Sequence, residues 1–192
     1  MGVDPTAFPP EAVDASSARA AALADGAVVA AWADHHEEIY AFLVRTTRDV
    51  EVAEDILQES FLRLTREVRA GRSPDNVRAW LYRVAGNLAT SRARRIAASL
   101  RGFARVAVTP IVRRTEELPE TRYLEREGRA ALITAIDDLS SDARAALLLS
   151  SEGFSIPEIA AAIGRTPLAT RALLWRTRVR LRAGISSAEG VR

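Results

Sequence analysis

The sequence predicts an all-α protein: two small helical domains joined by a flexible linker. Three observations carry this. Ala, Leu, Arg and Glu dominate the 192 residues while β-branched and aromatic residues are sparse, a mix that favours helix over strand. Apolar residues recur at three- and four-residue spacing in several stretches. Start and stop signals punctuate those stretches at Asp49, Ser73-Pro74, Ser155 to Glu158, Gly164 and Thr166-Pro167.

The elements follow in order. Residues 1–26 hold Pro5, Pro9 and Pro10 with little apolar pattern and read as a mobile tail. A helix is expected over about 27–46, with Val28, Trp32, Ile39, Leu43 and Val44 on one face. Asp49 caps the next, about 50–69, whose apolar stripe is Val52, Ile56, Leu57, Phe61, Leu64 and Val68. Its opposite face carries Glu51, Glu54, Asp55, Gln58 and Glu59. Ser73 is the expected cap of a third helix opening at Pro74 and running to about residue 98, with the stripe Val77, Trp80, Leu81, Val84 and Leu88. Residues 27–98 form the first domain. Residues 99–120 lose periodicity, contain Pro110 and Pro119, and read as the linker. A second domain over 121–184 is expected to hold helices at about 121–138, 142–151, 156–163 and 167–183, before a short tail at 185–192. Ser155-Ile156-Pro157-Glu158 has the form of a capping box with proline in the first turn.

Several function classes are excluded at this level. Without cysteine there is neither a disulfide framework nor a thiolate metal site. His35 and His36 are adjacent, point about 100° apart on a helix and cannot chelate one metal. No Ser-His-Asp set, Cys-His pair, Gly-rich phosphate loop or metal cluster is present, so neither an enzyme nor a cofactor is expected. No stretch reaches the roughly 18 apolar residues of a membrane span, and the acidic start is unlike a secretory signal. A cytoplasmic protein with no membrane insertion is expected.

Charge is segregated. The net charge is +2, but residues 71–115 carry +9 and 161–192 carry +6, against −4 over 26–70 and −6 over 116–160. Every basic residue other than the two histidines is Arg, which grips phosphate bidentately and stacks on bases. Two basic blocks suggest two contacts with a polyanion. The second block coincides with a local motif. A short helix with Ile159, Ala160 and Ile163, a turn at Gly164, and a capped helix carrying six arginines from Arg165 to Arg182 make a helix-turn-helix. In such units the second helix enters the major groove by its N-terminal residues, here Arg165, Thr166, Leu168 and Arg171.

Residues 139–182 resemble region four of sigma factors. The resemblance rests on Leu139, Arg144, the aliphatic run Leu147 to Leu149, Glu152-Gly153-Phe154-Ser155, Glu158-Ile159-Ala160, and Arg176, Arg178, Leu181 and Arg182. Upstream, AEDILQESFLRL (Ala53 to Leu64) and RAWLYRVAGNLATSRARR (Arg78 to Arg95) resemble region two. Both, in this order and in a chain this short, resemble the extracytoplasmic-function (ECF) group of the sigma-70 family. That resemblance implies a region-two helical bundle and a region-four helix-turn-helix. It implies partners too: core RNA polymerase through its beta-prime clamp helices and beta flap, promoter DNA, and an anti-sigma factor. It places polymerase docking on Asp55, Gln58, Glu59 and Phe61. It places minus-ten reading on the loop at Arg72 and Asn76 and on Asn87, with Tyr82 off the apolar stripe to meet a base and Arg83 and Arg94 to supply charge. Minus-thirty-five binding falls to Arg165, Thr166, Arg171, Trp175, Arg176 and Arg178.

The sequence also departs from the pattern. Gly86 stands where region two has Arg, and Ser91 where it has an acidic or amide residue. Thr170 replaces a core valine with a hydroxyl that needs a partner. The implied function is an initiation factor directing promoter recognition. The altered recognition helix leaves an alternative: a sigma-like interaction module that sequesters an anti-sigma factor without directing transcription.

Overall fold

The computed structural model of the chain describes residues 10–102, 135–136 and 138–189, with side chains over 18–99, 135–136 and 138–183. Six helices are the long elements among the described residues: α1 Pro10–Thr47, α2 Val50–Arg69, α3 Val77–Gly102, α4 Ser141–Ser151, α5 Ile156–Ile163 and α6 Pro167–Glu189. No strand occurs among them.

α1 begins well before the expected start near residue 27, so residues 10–26 are helical and not an irregular tail. The alanine-rich run from Ala18 to Ala27 supplies strong intrinsic propensity. Ala24 and Ala31 are buried, and Asp25 is held by Arg69 at 2.7 Å. Arg48, at φ 62°, turns the chain between α1 and α2, and Asp49 caps α2 by accepting from Val52 N at 3.0 Å. α3 opens at Val77, not at Pro74. Asn76 is the cap instead of Ser73: its Oδ1 accepts from Ala79 N at 2.9 Å, and its carbonyl accepts from Trp80 N at 3.0 Å. Asn is among the best N-caps, so it takes the role once Pro74 and Asp75 lie outside the helix.

Ser140 caps α4, accepting from Ala143 N. At α5 the N–H and hydroxyl of Ser155 both donate to Glu158 Oε2, at 2.8 Å and 2.6 Å. The helix ends on Gly164, at φ 62° and ψ 45°, the left-handed conformation that only glycine adopts without strain. Thr166 Oγ1 accepts from Ala169 N and starts α6, which runs on to Glu189, beyond the expected 183. Residues 99–102 of the expected linker form the end of α3, and its remainder lies outside the described residues. Of the helix expected at 121–138, only residues 135–136 and 138 are described; 135–136 are helical and 138 is in a turn.

The two groups of helices, α1–α3 and α4–α6, share a core. Ile39, Phe42, Leu43, Leu64, Leu81 and Tyr82 from α1–α3 are continuous with Ala145, Leu149, Ile159, Ala162, Ile163 and Leu174 from α4–α6. Each fully buried Leu or Ile contributes about 1.5–3 kcal/mol. The two groups are also tied by Arg144. This buried guanidinium donates to Thr46 O at the end of α1 and to Leu139 O, both at 2.8 Å. Burial, and then the nearby Arg48, lowers its pKa to about 10, so it remains a cation at neutral pH.

Candidate nucleic-acid interface

Three faces carry the residues singled out in the sequence. The first is the outer face of α2. The apolar stripe turns inward, burying Ala53, Ile56, Leu57 and Leu64, which leaves the polar stripe outward. Asp55 is exposed and 3.5 Å from Arg92. Gln58 is exposed. Glu59 is half-buried and paired with Arg63 at 2.7 Å, a bond that holds its carboxyl below the usual range. Phe61 is not on this face. It is 5% exposed and packs edge-on against Trp32 with ring centroids 4.7 Å apart. Its spacing puts it on the same stripe as Leu57 and Leu64, and that stripe faces α1.

The second face belongs to the 70–76 loop and α3. Arg72 is exposed and bonded to Glu67 at 2.9 Å. Asn76 is occupied as the cap of α3. Arg83 is exposed. Tyr82, expected to meet a base, is 2% exposed. Its ring lies between Phe42 and Phe154, with centroids 5.2 and 4.9 Å away, and burial pushes its phenol up to about 12. It lies beside Leu81, with Phe42 of α1 on one side of the ring and Phe154, between α4 and α5, on the other. Trp80, expected in the core, is partly buried. It lines a cavity of about 410 Å³ between the two groups, together with Asn76, Tyr82, Arg83, Phe154 and Glu158.

Asn87 and Arg94 stand two turns apart on the same side of α3, and both meet the second group. Asn87 Nδ2 donates to Ala161 O at 2.8 Å. Arg94 Nη2 donates to Asp142 Oδ2 at 2.9 Å and to Ile163 O. Arg78 spans the edge of this seam, donating to Glu38 at 2.9 Å and Glu152 at 3.0 Å, and lies over the rings of Tyr82 and Phe154. Asp142 and Ala161 were not singled out in the sequence, and Glu152 and Ile163 were named there for the region-four pattern and the short helix, not as partners of α3. The signal for them was present: the acidic block 116–160 contains the carboxylates that meet the basic block 71–115.

The third face is α6. Its inner side buries Thr170, Leu174, Thr177 and Leu181. Thr170 Oγ1, expected to find a partner, is fully buried without a hydrogen bond. The outer side presents Leu168 at 76% exposure and Trp175 at 67%, among exposed Arg171, Arg176 and Arg178. Arg178 donates to Ser150 Oγ at 2.8 Å. Thr166 is spent on the cap. Arg165 is drawn to Asp142 at 2.6 Å, so the arginine nearest the turn serves the α4–α6 packing in this arrangement.

A short helix, a left-handed glycine and a capped second helix with an open basic face define a helix-turn-helix protein. Among the described residues no cluster of side chains could hold a metal, and no helix is long and apolar enough to cross a membrane. Residues 31–98 match sigma-70 region 2. The chain is 30% identical over 152 residues to the RNA polymerase sigma-H factor of Pseudomonas aeruginosa, covering 75% of this chain and 78% of that protein. It is 31% identical over 170 residues to the ECF RNA polymerase sigma factor SigE of Mycolicibacterium smegmatis, and 30% identical over 175 to SigG of Mycobacterium tuberculosis. Those alignments take in 84% and 80% of this chain but only 64% and 47% of the two relatives. The fold is similar to that of the sigma factor RpoE from Bartonella quintana, solved with the anti-sigma factor NepR, at a TM-score of 0.59, 22% identity, and coverage of 82% and 93%. The chain belongs to the sigma-70 family of RNA polymerase sigma factors.

Proposed function

We propose that the protein is an initiation factor that brings core RNA polymerase to promoters, with region two (α1–α3) opening and holding the minus-ten element and region four (α4–α6) binding the minus-thirty-five element. The observation that carries this is the pairing, in one chain, of a region-two match over 31–98 with a helix-turn-helix whose second helix leaves its basic face open. The chemistry is binding, not catalysis, and the site of action is the cytoplasm. No cofactor enters.

The roles divide by chemistry. The acidic outer face of α2, with Asp55, Gln58 and Glu59, suits a protein partner and repels DNA, and we assign it to the beta-prime clamp helices. Phe61 supports that face from beneath. On α6, Arg171 lies within reach of base edges while Arg176 and Arg178 contact phosphates; guanidinium groups serve both ends. Asn87, Arg83 and Arg94 hold the opened strand, where unstacking a base costs a few kcal/mol that pocket contacts and charge pairing offset. The beta flap and an anti-sigma factor are the further partners; the similarity in fold to a sigma factor solved with its anti-sigma factor supports the second.

Affinity capture on purified core polymerase tests the reading. Wild-type chain should be retained. Gln58→Ala and Asp55→Ala should weaken retention with no loss of thermal stability, because both side chains are exposed. Phe61→Ala should instead lower stability by about 3–5 kcal/mol, as its ring fills the core. A chain that binds an anti-sigma factor but shows no affinity for core polymerase would be a sequestering module instead.

A further inference from the structure

Resting on the reading of α6 as the minus-thirty-five helix, we propose that Leu168 is a base-reading residue that selects thymine through its 5-methyl group. Leu168, Ala172, Trp175 and Val179 recur at spacings of four, three and four residues and form one stripe along the outer face of α6. All are exposed, Leu168 at 76% and Trp175 at 67%. A single exposed leucine is ordinary on a protein surface. A continuous apolar stripe on the side turned away from the core is not, since the inner side of the helix already buries Thr170, Leu174, Thr177 and Leu181. Exposed arginines border the stripe: Arg171 and Arg178 on one side, Arg176 on the other. A strip of apolar surface between rows of cations matches the major groove of a duplex, which has phosphates along both walls and base edges on its floor.

A leucine side chain has no donor or acceptor, so it discriminates between bases only by apolar contact. On the floor of the major groove the apolar substituent is the thymine 5-methyl, while the other bases are told apart by their donors and acceptors. Position singles out Leu168 from the rest of the stripe. It lies in the first turn of α6, and the first turn is the part of a recognition helix that enters the groove. Trp175 stands about 10 Å further along the axis at about 1.5 Å per residue, towards the groove wall. Arg171 is about 4.5 Å from Leu168 along the axis, little more than the roughly 3.4 Å between successive base pairs. The thymine therefore belongs within about one or two base pairs of the position that Arg171 reads. The leucine is also held in place before DNA arrives. Pro167 fixes the backbone ahead of it, and Thr166 Oγ1 accepts from Ala169 N just after it.

A duplex library randomised at the minus-thirty-five element and selected on the full chain supplies the probe. In the enriched duplex each thymine is replaced in turn by deoxyuridine, which keeps every hydrogen-bonding group and lacks only the methyl. Binding is read by anisotropy. One such replacement should weaken wild-type binding about fourfold, the effect of burying one methyl group. Leu168→Ala should bind the thymine duplex more weakly by at least that factor and be indifferent to the same replacement, with thermal stability unchanged because the side chain is exposed. Leu168→Met, which keeps an apolar tip, should retain the deoxyuridine penalty. So should Arg178→Ala, although its overall affinity is lower. A helix that was merely loosened would lose affinity and keep the penalty. An enriched element without thymine, no penalty at any thymine, or the same penalty in Leu168→Ala as in wild type overturns the inference and leaves the minus-thirty-five reading standing. A library that yields no enriched sequence removes that reading and the inference with it. Wild-type DNA affinity in Leu168→Ala, together with weaker retention on core polymerase, would make the stripe a protein-docking face and equally overturn the inference.

Discussion

α3 and α6 are both arginine-rich amphipathic helices, and they end in opposite situations. α3 is covered. Arg78, Arg92 and Arg94 are all paired with carboxylates, and Asn87 is bonded to a backbone carbonyl of the other group. α6 is open. Arg171 and Arg176 are exposed beside Trp175, with Leu168 at the leading end. A count of arginines treats the two helices alike; what separates them is the supply of acceptors. α3 faces Asp142, Glu152 and the carbonyl end of α5, whereas on the outer side of α6 Arg178 meets Ser150 Oγ and Arg180 has Asp138 at 3.8 Å. On the proposed reading, the face assigned to the opened strand is the one that is occupied, and the face assigned to duplex is the one left open.

The largest expected effect breaks the contrast by loosening the groups. Arg144→Met keeps the volume but strands the carbonyls of Thr46 and Leu139, and should cost about 3 kcal/mol in urea denaturation. Next, Thr170→Val removes a buried hydroxyl that has no partner and should raise stability by about 1–3 kcal/mol, read as an increase in melting temperature. α6 then stands more firmly with no change to its outer face.

On that outer face, Arg171→Ala should relax base preference at one position of a randomised minus-thirty-five library, by roughly 1–3 kcal/mol. Arg178→Ala should weaken binding evenly across the same library and lower the salt slope by about one unit. A uniform loss for Arg171→Ala would make it a backbone anchor. The smallest effect lies at the start of α5. Ser155→Ala should cost about 1 kcal/mol at pH 7. The Glu158 carboxyl is held below its usual range by the Ser155 hydroxyl first and the Ser155 N–H second. A depressed carboxyl stabilises above its unfolded value of about 4.3 and loses that contribution as pH falls through the lower folded value. The melting-temperature difference between wild type and Glu158→Gln should therefore be present at pH 7 and fade below about pH 4.

Much of the fold was legible because helices announce themselves locally. Asp49, the Ser155-to-Glu158 box, Gly164 and Thr166 all act where the sequence places them. The misplaced start of α3 shows the limit of local rules: Ser73-Pro74 and Asn76 are both good openings, and it is Asn76 that caps the helix. The early start of α1 was missed because an alanine run has propensity but little apolar pattern. The site was less legible, since periodicity shows which side of a helix is apolar but not which other helix arrives there. Tyr82 and Phe61 show both sides of this. Tyr82 lies off the α3 stripe but is buried by Phe154 from 72 residues away, while Phe61 was readable as core from its stripe. Gly86 was visible as a departure from region two, yet only the fold brings Ala162 against it, where a Cβ would lie 2.9 Å from Ala162 O.

Run-off transcription with purified core polymerase on a library of genomic promoters tests the central claim most directly. The account predicts discrete transcripts that depend on the added chain, lost with Gln58→Ala at limiting core and shifted in promoter preference with Arg171→Ala. No chain-dependent transcript from any template, by a chain that remains folded and still binds an anti-sigma factor, would contradict it.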